Sequence, residues 1–222
     1  MSIMSKGPEI LVTGGEDIPE EYKNNPNSPE LLTQFMRVFW QEAGQRIGKS
    51  YVVDEFPLTA EDLGERQKED RMAIFVPHDV SRHDLVEIFP KMGSGATQQG
   101  LSIDNEAGAG WLWIESSDYN LRKYLNSEEI SKGFLGQSLR TYIIGSQIRK
   151  LLTRRYFDQA GSDVSQLTGH SPWEFRTLLA KFSYDGRLSV WDRSEWSCRG
   201  ASSDLEISGY RTEQLIKPPS VA

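Results

Sequence analysis

The stretch Ala180–Trp191, AKFSYDGRLSVW, decides the class of fold. Asp185-Gly186 suits the centre of a two-residue type I′ turn, where both residues take φ > 0. Ala180–Tyr184 and Arg187–Trp191 flank that turn, and the spacing predicts an antiparallel hairpin with Ala180 facing Trp191 and Phe182 facing Ser189. One face then carries Phe182, Tyr184 and Trp191 toward a core. Strands joined by a tight turn need no crossover helix, so the sheet they belong to is antiparallel at this point.

Outward from the hairpin, strands and helices alternate without steady strand–helix–strand units. Met72–Val76 (MAIFV) reads as a buried strand closed by Pro77, Tyr51–Phe56 (YVVDEF) as a second, and Leu101–Ile103 with Trp111–Ile114 as a pair around DNEAGAG. Glu9–Thr13 suits a further short strand. Ser28-Pro29-Glu30 starts a helix: Ser28 can cap a free N–H and Pro29 has its φ preset for the first turn. Leu31, Leu32, Phe35, Val38, Phe39 and Ala43 then recur at helical steps. Ser81, with Asp84 three residues on, starts a short helix carrying Leu85, Ile88 and Phe89. A helix-rich stretch covers about 118–157, and its Gly133, Gly136 and Gly145 each weaken a helix by roughly 1 kcal/mol relative to Ala, so they mark close packing or a break. The run TAEDLGERQKED is highly charged and reads as solvated.

The pattern predicts an α+β fold: a mostly antiparallel sheet of about five strands packed by two or three helices. The expected core is Leu32, Phe35, Phe39, Ile74, Phe75, Leu112, Ile114, Leu139, Ile143, Leu151, Phe182 and Val190. Residues 28–216 are expected to form a single domain, with a hinge candidate at 158–171, after a loosely ordered segment 1–27 and before a frayed tail 217–222.

Composition limits the function. The longest apolar runs, Trp111–Ile114 and Met72–Val76, fall far short of the roughly 18 residues that span a bilayer, and no membrane contact is expected. The N-terminus has no long apolar stretch, and the lone cysteine, Cys198, fits a reducing compartment, which makes the cytoplasm the expected location. Net charge is −7, unevenly spread: residues 1–121 carry 10 Lys+Arg against 21 Asp+Glu, whereas 122–155 carry 8 against 2. An acidic whole disfavours nucleic acid, whose phosphates it repels.

Several constellations suggest chemistry. Ala43–Ser50 (AGQRIGKS) ends like a phosphate loop, but it lacks the first glycine and has a helix before it and an apparent strand after it, the reverse of what phosphate binding needs. A helix C-cap is the plainer reading. Gly93-Ser94-Gly95 with Gly100 reads as a surface loop. His78 and His83, with Asp84, offer imidazole and carboxylate to a metal, against a plainer role of Asp84 at a helix start. Asp104, Glu106 and Glu115 offer paired acids for a metal-dependent hydrolase or nuclease. Cys198 has Arg199 beside it but no histidine near in sequence. Trp111 and Trp113 share one side of a strand and suit either the core or an aromatic ligand pocket.

The basic helix, about 128–157, carries most weight. Leu135, Leu139, Tyr142, Ile143, Leu151 and Leu152 form an apolar side, while Arg140, Gln147 and Arg154 recur every seven residues on another face, with Lys150 close by. With no complete catalytic set, the expectation is a non-catalytic protein-interaction or accessory protein using that face. It needs no cofactor, and its partner is another protein or a second copy. A hydrolase using Asp104, Glu106 and Glu115, and a small-ligand protein with a pocket at Trp111 and Trp113, are the two alternatives.

Overall fold

The computed structural model describes residues 20–92, 109–117, 135–158, 164–168, 177–192 and 208–217. Their elements run α1 (Glu20–Asn24), α2 (Pro29–Ile47), α3 (Ala60–Lys68), β1 (Arg71–Val76), α4 (Arg82–Ile88), β2 (Gly110–Glu115), β3 (Leu135–Gly136), α5 (Leu139–Thr153), β4 (Val164–Thr168), β5 (Thr177–Phe182), β6 (Leu188–Asp192), β7 (Ser208–Tyr210) and β8 (Thr212–Leu215). The fold is α+β, and the strands divide between two sheets of four. The first, ordered β1-β2-β8-β3, is antiparallel throughout. The second, ordered β6-β5-β4-β7, is antiparallel except where β4 runs parallel to β7.

Local signals fix the helix starts. The Ser28 hydroxyl accepts from Leu31 N–H at 3.2 Å, Pro29 opens α2, and Gly48 ends it at φ 69°. Ser81 and Asp84 form a reciprocal capping box at α4: Asp84 N–H donates to the Ser81 hydroxyl at 3.1 Å and Ser81 N–H to Asp84 Oδ2 at 2.8 Å. The same device, Thr59 with Asp62, starts α3 inside the charged run, and of that helix's residues only Leu63 is buried. α1 packs down through Tyr22, whose ring stacks on Phe35 with centroids 5.1 Å apart, so this part of the segment expected to be loose is docked.

Tyr51–Phe56 forms no strand. Side chains take its backbone groups instead of a neighbouring ladder. Thr33 Oγ1 accepts from Phe56 N–H at 3.0 Å, Arg37 Nε donates to the Val53 carbonyl at 3.4 Å, and Trp111 Nε1 donates to the Asp54 carbonyl at 3.1 Å. The hairpin forms with a different turn. Ser183 N–H donates to the Arg187 carbonyl at 2.9 Å and Gly186 N–H to the Ser183 carbonyl at 3.0 Å, giving a three-residue loop closed by Gly186 at φ 86°. The extra loop residue shifts the pairing, so Ala180 faces Val190 and Phe182 faces Leu188. Tyr184, expected on the core face, is 72% exposed at the tip. Gly186 is needed twice over, because a Cβ there would lie 2.7 Å from the Tyr156 hydroxyl.

Every expected core residue is buried. α5 lies at the centre. At Gly145 a Cβ would sit 2.3 Å from Ile114 Cδ1 of the first sheet, and the Tyr142 ring stacks 5.6 Å from Phe182 of the second. Both sheets and α5 therefore feed one hydrophobic cluster. β4 occupies part of the stretch considered as a hinge, paired on both sides by β5 and β7.

Candidate functional site

α5 does not present its polar residues as an exposed stripe. Residues 141–149 are all buried, because a helix contacting a sheet on each side has no solvent face along that length. Gln147 is only 8% exposed. Arg140, at the helix start, reaches the Val80 carbonyl at 3.5 Å and acts electrostatically on buried Glu213. The expected face of Arg140, Gln147 and Arg154 is thus corrected: two of its members are turned inward or toward neighbouring chain.

What emerges is the C-terminal end of the helix. Buried Arg149 anchors it, donating from Nε to the Ser116 carbonyl at 3.2 Å and from Nη1 to the carbonyls of Arg155 at 3.1 Å and Tyr156 at 2.9 Å. Lys150 Nζ donates to the Arg154 carbonyl at 2.6 Å and lies 5.2 Å from the centre of the Tyr156 ring. That ring stacks on Phe182, centroids 4.9 Å apart. Arg154 is the helix C-cap in the left-handed region, φ 63°, a place glycine usually fills. Its side chain is exposed, as is that of Lys91 beyond α4. Partial burial lowers the Lys150 pKa, and the charges of Arg154 and Lys91 lower it further. Neither Lys91 nor Arg154 has an ion-pair partner among the described residues. The candidate site is a cationic corner in which the charges of Lys91 and Arg154 reach Lys150.

The other sequence candidates are dispersed. Asp104 and Glu106 lie outside the described residues, as do Gly93–Gly100 and Cys198. Glu115 is buried, its Oε2 3.4 Å from the Thr212 hydroxyl, which also accepts from buried Arg71. His78 and His83 are exposed, and His83 Nε2 sits 3.1 Å from Glu87 Oε1. Asp84 points away into its capping box and a pair with Lys49, 2.7 Å from Nζ, which holds its carboxyl below the usual range against the effect of burial. Among the described residues no three His, Cys, Asp or Glu converge as a metal site, and no helix is long and apolar enough to cross a membrane. Ala43–Ser50 is the end of α2 and its cap. Trp111 and Trp113 do share a face, and Phe56 covers it, edge-on to both rings at 5.0 and 5.9 Å.

A buried polar network escaped the sequence reading. Arg211 Nη2 donates to Asp158 Oδ1 at 2.7 Å, Tyr142 donates to Asp158 Oδ2 at 2.8 Å, and the Arg211 guanidinium lies 4.3 Å over the Phe157 ring. Beside it, Glu213 Oε2 accepts from Ser138 N–H at 3.0 Å and from the Thr141 hydroxyl, and burial pushes its carboxyl up to about 7. Only the polar run Arg211-Thr212-Glu213 hints at it, and in sequence such a run looks like surface. Comparison with known proteins gives no match to a family model, a curated protein or a solved structure.

Proposed function

We propose that this is a non-catalytic binding protein that holds an acidic segment of a partner protein on the cationic corner of Lys91, Lys150 and Arg154. The supporting observation is exposed positive charge at the end of α5: Lys91 and Arg154 have no ion-pair partner among the described residues, in a chain of net charge −7. A long polyanion such as nucleic acid meets repulsion from the acidic remainder, whereas a short acidic segment engages the corner alone. A second copy of the chain, with its acid-rich first half, is the other source of such a segment. In this reading the protein works in the cytoplasm, where Cys198 stays a thiol.

The test is Lys91→Glu with Arg154→Glu, since neither side chain has an ion-pair partner among the described residues. Affinity capture on the intact chain, followed by mass spectrometry and light scattering for self-association, should recover an acidic partner that leaves as salt is raised. The double variant should lose it while keeping its melting temperature. Identical recovery by both proteins removes the proposal.

A further inference from the structure

Beside Trp113, apart from the cationic corner, the surface dips into a groove of about 330 Å³. Its lining is Trp113 of β2, Leu58 ahead of α3, Arg66 of α3, and Gln214, Leu215, Ile216 and Lys217 along and just after β8. Leu215 is 44% exposed, a large apolar side chain left in water. Trp113 is only 3% exposed, with Phe56 edge-on to it at 5.9 Å, so Leu58 and Leu215 supply the accessible apolar surface of the groove.

Among the described residues the lining carries two cations and no acid. Lys217 has no ion-pair partner among the described residues. Arg66 pairs with Glu69 in an exposed contact at 2.9 Å and also feels the charge of Asp62 one turn back. Such pairs contribute little, so an incoming anion can displace the glutamate. The volume falls at the small end of the range for small-molecule sites, too small for a folded partner.

We propose that this groove binds a small apolar carboxylate, its ring or short chain against Leu58 and Leu215 at the edge of Trp113 and its carboxylate toward Arg66 and Lys217. Apolar contact supplies the binding energy and the cations select the anion over a neutral molecule of the same shape.

Isothermal titration calorimetry on the full chain, with 1-naphthoate and the neutral 1-naphthalenemethanol as probes, tests this. Naphthoate should bind saturably at one site and at least tenfold more tightly than the alcohol. Leu215→Glu and Lys217→Glu, both at exposed positions, should each weaken naphthoate at least tenfold without lowering the melting temperature. Lys91→Glu with Arg154→Glu should leave it unchanged, which separates this site from the partner corner. Absence of saturation at millimolar probe, equal binding of the alcohol, or indifference to both groove variants would each overturn the assignment.

Discussion

Replacing Glu213 by Gln should change how stability depends on pH more than it changes stability itself. The carboxyl is 2% exposed, lodged where β8 meets the start of α5, and accepts from Ser138 N–H and the Thr141 hydroxyl. Burial raises its pKa from 4.5 to about 7, although those two bonds and the charge of Arg140 pull the other way. A folded-state pKa above the unfolded value means that the folded protein holds the proton longer. Stability is therefore fully present below about pH 4.5 and falls as pH rises through about 7. The shift corresponds to about 3 kcal/mol lost across that window. Glutamine cannot ionise, and its carbonyl oxygen can accept the same two bonds. Urea unfolding at pH 4.5, 6 and 8 should show the stability of Glu213→Gln rising relative to the natural chain by about 3 kcal/mol between the extremes. Every other titrating group is common to both proteins and cancels in the difference. Parallel curves would refute the reasoning, showing that Glu213 ionises in the fold as readily as in water.

Gly145→Ala should destabilise, because the new methyl meets Ile114 Cδ1 and Phe157 Cε2. Overpacking of about 1–3 kcal/mol outweighs the helix gain of about 1 kcal/mol, and adding Ile114→Val should recover part of the loss in urea midpoint. Asp158→Asn isolates the buried charge, since asparagine tolerates the φ of 55° found there. It removes the nearest counter-charge of the buried Arg211 guanidinium, leaving the more distant Glu115, and should lower stability by up to about 3 kcal/mol by thermal or urea unfolding.

Signals that act within a few residues were legible in the sequence. The caps at Ser28 and Ser81, the strands around Ile74 and Leu112, and the apolar core all follow from local chemistry and burial. The hairpin was legible too, but not its register, because Asp185-Gly186 suits both a two-residue and a three-residue loop and the choice rests on Ser183 and Arg187. Thr59 with Asp62 carried the signal for α3, masked by the charge around it. β8 and β4 were not legible. A strand is recognised by its apolar residues, and β8 places Thr212 and Glu213 in the interior, where partners far along the chain satisfy them. The same blindness hid the burial of Gln147: helical spacing shows which residues share a face, not that a second sheet covers it. Lys150 and Arg154 reach solvent because they lie where α5 ends, while Gln147 is covered.

The short run 208–215 gives a strand to each sheet, with Arg211 at the crossing. β3 pairs with no strand but β8 in the described structure, and Thr212 meets Arg71 from 141 residues away. Folding must therefore wait for one distant stretch of chain to thread between elements already made, a slow search among non-local contacts. Once it is seated, the two sheets share a strand-bearing segment and neither can open without straining the other. Unfolding should accordingly be a single cooperative event, and a nick before residue 208 should release both sheets together.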